Sequence, residues 1–206
     1  MLLDRPLDNI FGQYSKVKIL RFLIKSQAQL NGREIAKNVG LSHVKAHTAL
    51  KDLTKQGVVN MRSVGNSLVY WINEEHVLVK EIIRPAFEKE EGIFGHIARI
   101  IIKEIKPPRP LSIILFGSFA RGSASADSDI DIVVVYPHSK NKPLIAKELS
   151  EAEKKITSLF GNHLASAPLL INEFQSKLKN NDAFINEIVR TGKVIYGKNI
   201  SELANL

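Results

Sequence analysis

At 206 residues without a cysteine, the chain can build one large domain or two small ones, and it excludes disulfides and thiolate metal sites. No apolar run nears the ~20 residues of a membrane span, and the start, Met1-Leu2-Leu3-Asp4-Arg5-Pro6, lacks the basic and apolar regions of a secretory signal, so a cytoplasmic protein away from membranes is expected. The net charge of +8 is uneven, with 13 Lys/Arg against 7 Asp/Glu in residues 1–85 and 16 against 14 in residues 86–206, so the N-terminal part carries +6 and suits a polyanion.

Tyr14 to Lys25 carries Val17, Leu20, Leu23 and Ile24 at helical spacing, with Ser15 as the expected N-cap. A short helix is expected from Arg33 to Val39, closed by Gly40. Ser42 then caps a third helix reaching Gln56, with Ala46, Ala49, Leu50 and Leu53 as its buried stripe. Gly57 ends it, and Val58–Ser63, Gly65-Asn66 and Leu68–Ile72 read as a β-hairpin.

This order, with Arg33-Glu-Ile-Ala36 followed by Gly40-Leu-Ser42-His43-Val-Lys45, resembles the winged helix-turn-helix family. The resemblance implies duplex DNA as partner, with the third helix in the major groove and the wing near phosphate or the minor groove. It makes Ser42, His43, Lys45, His47, Thr48 and Lys51 groove or phosphate contacts, and Arg62 and Asn66 wing contacts. Two bland readings stand beside it: Lys45 and Lys51 as an ordinary solvated face, and the winged helix as a protein-interaction module. The spacing of His43 and His47 could also clamp a metal, though no third ligand is evident nearby.

From 74 to 106 the apolar residues recur at helical spacings, among them Ile82, Ile83, Phe87, Ile93, Ile97, Ile100, Ile101 and Ile105. Pro85 and Gly92 are expected to interrupt these helices. The cluster Ile93, Ile97, Ile100 and Ile101 is a candidate homodimer seam, with packing between two domains as its alternative. Pro107-Pro108-Arg109-Pro110 makes a stiff break.

After it, Leu111-Ser-Ile-Ile-Leu-Phe leads into Gly117-Ser118-Phe-Ala-Arg121-Gly122, and Ser128-Asp129-Ile-Asp131 opens a second apolar run to Val135. In a strand, residues two apart share a face, so Asp129 and Asp131 project together while Ile130 and Ile132 face the other way. Paired carboxylates make a hard, oxygen-only site for magnesium with bound phosphates. Gly117 and Ser118 leave the strand for a helix start, where free backbone N–H groups can hold phosphate oxygens. Farther on, Lys142–Phe160 reads as an amphipathic helix with Leu144, Ile145, Leu149, Ala152, Ile156 and Leu159 inward. Ala167–Ile171 reads as a strand, Asp182–Thr191 as a helix and Gly192–Gly197 as a short closing segment.

Gly117-Ser118, Arg121-Gly122 and Asp129-x-Asp131 together resemble the nucleotidyltransferase superfamily that includes DNA polymerase beta, in its minimal branch. The resemblance covers about half the chain. It implies Asp129 and Asp131 as catalytic, metal-holding carboxylates for Mg2+ or Mn2+, and Gly117, Ser118 and Arg121 as nucleotide-binding residues. Arg121 either neutralises phosphate charge or pairs with the motif aspartates. Active members carry a third carboxylate on the next strand, but Leu164–Ile171 holds no acid, and Glu173 lies only at its exit.

The expected fold class is therefore two domains: an N-terminal winged helix, mainly α with a β-hairpin, and a C-terminal α/β nucleotidyltransferase fold with a mixed sheet. Their expected bounds are 1–80 and 107–206, with 81–106 as a helical linker or dimerisation segment. The first functional expectation is a DNA-binding regulator whose Mg-dependent nucleotidyltransferase domain moves NMP, AMP before others, from an NTP such as ATP to a hydroxyl of a protein or small molecule. The alternative is a transcription regulator whose nucleotidyltransferase domain is catalytically degenerate and senses nucleotide. The intact motif favours nucleotide binding, and the missing third carboxylate favours the regulator. Expected partners are duplex DNA, NTP, a protein acceptor such as the toxin partners that related proteins modify, and a second copy of the chain.

Overall fold

The computed structural model describes residues 4–137 and 141–206. Met1, Leu2 and Leu3, on which the reading of the chain's start partly rests, lie outside the described residues. The chain divides into two compact units, Met1–Glu91 and Gly92–Leu206. No helix among the described residues is long and apolar enough to cross a membrane.

The first unit opens with α1 (Pro6–Phe11) and α2 (Tyr14–Ser26), followed by a short strand β1 (Leu30–Asn31) and α3 (Gly32–Val39). Next come α4 (His43–Lys55) and the hairpin strands β2 (Val59–Val64) and β3 (Ser67–Ile72). The strands form an antiparallel sheet in the order β1-β3-β2. Helices followed by a hairpin that a short strand joins at its inner edge make the winged-helix arrangement. The expected stripe of α4 is wholly buried at Ala46, Ala49, Leu50 and Leu53. It packs with Leu20 and Leu23 of α2 and Ile35 of α3. Each fully buried leucine contributes about 1.5–3 kcal/mol over its exposed state.

Local signals set most of these boundaries. Gly40 takes φ +63°, and the N–H of Leu41 bonds back to the Ala36 carbonyl at 2.9 Å, which ends α3 and frees the chain to turn into α4. Ser42 caps α4 as expected, accepting from the Lys45 N–H at 3.4 Å. The Ser15 expectation is corrected: Ser15 lies inside α2, whose N-cap is Gln13 without a side-chain cap bond. The strongest cap was not anticipated. Asn31 Oδ1 accepts from the N–H groups of Arg33 and Glu34, both at 3.0 Å, while Glu34 Oε2 accepts from the Asn31 N–H at 2.9 Å. Asn31→Ala is expected to cost about 1 kcal/mol. A melting temperature equal to the parent's would show the box to be dispensable.

Pro85 does not break its helix. A π turn at Val79–Ile83 leads directly into α5 (Arg84–Glu91), placing Pro85 at the second position of α5. The wide turn opens the backbone where a proline ring would otherwise strike the carbonyl four residues back. α5 belongs to the first unit, where Arg21 and Lys25 of α2 pair with Glu90 and Glu91.

The second unit begins with α6 (Ile93–Glu104), then β4 (Ser112–Leu115), α7 (Gly117–Arg121) and β5 (Ile130–Tyr136). α8 (Lys142–Phe160), β6 (Leu164–Leu170), α9 (Ile171–Lys179), α10 (Ala183–Thr191), β7 (Lys193–Gly197) and α11 (Ile200–Ala204) follow. The sheet order is β6-β5-β4-β7, parallel between β5 and β6 and antiparallel elsewhere, which is the expected mixed sheet.

Both faces of this sheet are covered. Ile113, Leu115, Ile130, Ile132 and Val134 pack with Ile97 and Ile101 of α6 and Ile145, Leu149 and Ile156 of α8. Ile114, Val133 and Val135 pack on the opposite side with Phe174 of α9, Ile185 and Ile188 of α10, and Leu203 of α11. Alternation along β5 thus sends its even-numbered residues one way and its odd-numbered ones the other.

Two expectations about inward faces are corrected here. Ile97 and Ile101 are buried within this unit's own core, so they are not available as a seam with a second chain, whereas Ile93 is 41% exposed. On α8, Leu144 and Leu159 face outward and Glu148 is buried, its Oε1 accepting from the Lys106 N–H at 3.1 Å. A carboxylate given a backbone donor can take an inward position that apolar periodicity alone would assign to leucine.

Candidate functional site

β4 ends in a turn whose shape depends on the strand beside it. The Phe116 N–H bonds to the Asp131 carbonyl at 3.0 Å, and Gly117 follows at φ +67°. A Cβ on Gly117 would lie 2.2 Å from Asp131 Oδ2 and 3.0 Å from Cγ. The Asp131 carboxylate therefore occupies the space that any side chain at 117 would need. Gly117→Ala combines that clash with left-handed strain costing about 1–3 kcal/mol. It is expected to lower the urea midpoint and push Asp131 off its position; an unchanged midpoint would refute the contact.

The loop to β5 is held at several points. Ser125 and Ser128 bond each other, Asn162 Nδ2 reaches the Ala126 and Ser128 carbonyls at 3.0 and 3.1 Å, and the Ile130 N–H meets the His163 carbonyl at 2.8 Å. Asp129 is delivered exposed at the entry of β5, and Asp131 is half-buried one pleat further on. The opposite orientation expected for Ile130 and Ile132 holds, since both are buried in the other face's core.

Burial pushes the Asp131 carboxyl above the usual aspartate range, the charge of Asp129 pushes it further, and Arg121 partly offsets them while Glu187 adds to them. Arg121, at the end of α7, pairs with Glu187 of α10 rather than with either motif aspartate. Glu187 was not singled out in the sequence. It sits 66 residues from Arg121, and its only local signal is a polar position between the apolar Ile185 and Ile188.

Glu173 serves elsewhere. Its Oε2 accepts from the Leu170 N–H at 2.9 Å as the cap of α9, and its other oxygen pairs with Lys142. Lys142 and then the Leu170 N–H hold its carboxyl below the usual range. On β6, the residues opposite Asp131 and Val133 are Ala165 and Ala167, so the neighbouring strand supplies no third acid there.

The donor set fits a hard divalent ion. No cluster of three His, Cys, Asp or Glu suited to a metal occurs among the described residues. Two oxygen ligands are too few for a closed structural site, but they suit Mg2+, which keeps waters and takes phosphate oxygens. Asp129 and Asp131 are the residues that would hold it.

In the first unit, Ser42 at the N-cap of α4 and His43, Lys45, His47, Thr48 and Lys51 on it are all exposed. The His43 and His47 rings lie nearly parallel, 12° apart with centroids 6.3 Å apart, and no third ligand for a metal joins them among the described residues. A groove of about 350 Å3 between α4 and the wing is lined by His43, His47, Asn66, Asn31, Arg33 and neighbours. Arg33 was missed as a contact candidate because it reads as the start of a helix; it lines this groove together with His47. Arg62 does not line this groove. It donates to Gln29 at 2.9 Å and lies over the Trp71 ring at 5.7 Å.

A covered mixed sheet with a Gly-Ser turn packed against a strand-borne Asp-x-Asp defines a nucleotidyltransferase-type unit in a chain whose other unit is a winged helix. Residues 97–190 match the family described as the nucleotidyltransferase domain, and this part of the chain is such a domain. The match begins on α6. No curated protein matches the chain.

Among solved structures, a homodimeric winged helix-turn-helix domain of Mycobacterium bovis, described as a possible ArsR-family transcriptional regulator, is 21% identical over 44% of this chain and 81% of that one, at TM-score 0.37. A toxin–antitoxin structure with AMP-PNP is 23% identical over 54% and 81%, at TM-score 0.39. A mutant of the toxin–antitoxin pair MntA–HpeT is 20% identical over the same shares, also at TM-score 0.39.

Proposed function

We propose that the chain is a DNA-binding protein whose C-terminal domain is a Mg-dependent nucleotidyltransferase, moving NMP from an NTP, ATP first, to a hydroxyl on a protein or small molecule. The observation that carries this reading is the Asp131 carboxylate seated against Gly117 with Asp129 beside it. The aspartates hold the ion, Gly117 and Ser118 offer backbone donors to the triphosphate, and Arg121 offers it a cation. The bound ion supplies charge neutralisation for the triphosphate and the departing pyrophosphate. The acceptor hydroxyl gives its proton to solvent, its oxygen bonds the α-phosphorus, and the bond to the bridging oxygen breaks.

A second reading rests on Ala165 and Ala167 standing where the neighbouring strand would supply an acid. On that reading the domain senses nucleotide without transferring it. Incubation with labelled ATP, GTP, CTP or UTP, Mg2+ and cell extract separates the two. Transfer of label supports the enzyme, binding without transfer supports the sensor, and neither removes both.

The first unit's basic, exposed α4 and its groove to the wing support duplex DNA as its partner. Two copies on a two-fold axis would read a palindromic site. With Ile97 and Ile101 committed to the core, such a dimer must use other surface. Light scattering at micromolar concentration is expected to give twice the monomer mass.

A further inference from the structure

Arg121 is a cation whose charge reaches Asp131 and which could meet a phosphate there, yet it already has an anionic partner. Its Nη1 donates to Glu187 Oε1. Glu187 does not arrive there by a loose side chain on a mobile element. Ile185 and Ile188 on either side of it are wholly buried in the core beneath Val133 and Val135. Asp182 caps α10, accepting from the N–H groups of Phe184 and Ile185 at 3.0 and 3.2 Å. Phe184 meets Phe116 edge-on at 5.3 Å, tying α10 to the turn that carries Gly117. The helix is thus anchored to the site, and it faces the same side of β5 as Asp131.

We propose that Glu187 is a positioning residue that occupies Arg121 until a triphosphate takes its place. This rests on the nucleotide-binding reading of the Asp129–Asp131 site. A carboxylate and a phosphate present similar oxygen geometry to a guanidinium, so one exchanges for the other on the same fork. Both side chains are about two-fifths exposed, at 44% for Arg121 and 37% for Glu187, so the pair is weak enough for a nucleotide to open. Its opening leaves Glu187 uncovered near Asp131, adding negative charge around the triphosphate. Nucleotide binding therefore becomes more dependent on the divalent ion than the two aspartates alone would make it.

The test is calorimetric titration of the full chain with a non-hydrolysable ATP analogue and with tripolyphosphate, each with and without Mg2+. The proteins are the parent, Glu187→Gln, Arg121→Gln and the double variant. Tripolyphosphate reports the phosphate arm whatever the base preference. Glu187→Gln is expected to bind about fivefold tighter than the parent, the scale of an exposed ion pair, with a larger gain when Mg2+ is left out. Arg121→Gln is expected to bind more weakly, and the double variant to recover only the part that the Glu187 charge withholds by repulsion, a smaller gain than Glu187→Gln gives with Arg121 present. A purely structural Glu187 would instead give weaker binding and a lower melting temperature on neutralisation. Should Glu187→Gln not fold, Glu187→Ala replaces it in the same scheme. Unchanged or weaker binding by the variant while the parent binds overturns the inference alone, as does a gain from Glu187→Gln that is as large without Arg121 as with it. Failure of both parent and variant to bind either ligand overturns the nucleotide reading, and this inference with it.

Discussion

Asp129→Asn combined with Asp131→Asn is expected to abolish the stabilisation that Mg2+ and an NTP together give the parent. A ligand at a hundred times its dissociation constant stabilises the fold by about 2.7 kcal/mol, and the double variant should keep almost none of it. If the domain transfers NMP, the rate should fall about a thousandfold or more, since several kcal/mol of ion-borne stabilisation are lost at tenfold per ~1.4 kcal/mol. Without ligand, the variant should be at least as stable as the parent. Burial first, and then the charge of Asp129, raise the Asp131 carboxyl above its unfolded value. An acid so raised contributes stability while protonated and loses it as pH rises through the folded value. The variant's advantage should therefore be largest near neutrality and shrink as pH falls toward about 4, the ordinary aspartate range. Melting curves with each component singly and together, across pH, measure all of this. A full Mg–NTP shift retained by the double variant would place the ligand elsewhere.

Lys45→Glu with Lys51→Glu is the second large effect. Both lysines lie exposed on α4, the helix whose His43 and His47 line the groove with Asn66. Removing two phosphate contacts should lower the salt slope of duplex binding by about two, and reversing their charge should cost about a hundredfold in affinity at low salt. The loss should be similar for every sequence, because phosphate contacts carry no base information. Equal shifts of duplex DNA by parent and variant at low salt would assign the lysines to a solvated face. The same comparison with His43→Ala and His47→Ala should instead change preference among sequences if, as the DNA-binding proposal implies, those groove-lining rings meet base edges.

Much of the winged helix was legible because its signals are local. Ser42, Gly40 and Gly65-Asn66 act within a turn of where they stand, and the α4 stripe is a matter of 3.6-residue spacing. Asn31 was missed because its partner Glu34 reads as an ordinary helix residue unless the cap is placed first. The motif strand was equally legible: alternation alone separated Asp129 and Asp131 from Ile130 and Ile132. What periodicity could not show is which flank of a stripe a neighbour covers. Leu144 and Leu159 lie at the edges of the α8 stripe and stay exposed, while Glu148 turns inward toward a backbone donor.

By itself, then, the sequence determined the helices α2, α3 and α4 with the hairpin after them, the two motifs and the face on which the carboxylates stand, because each follows from spacing along a single element. Tertiary structure alone decided that Ile97 and Ile101 belong to a core rather than a seam, that Glu173 caps a helix, and that Arg121 meets Glu187. It also decided why position 117 must be glycine, through a carboxylate 14 residues on that fills the space of its missing Cβ. These contacts join residues far apart in the chain. No local period encodes them, and they exist only once the sheet and its covering helices have packed.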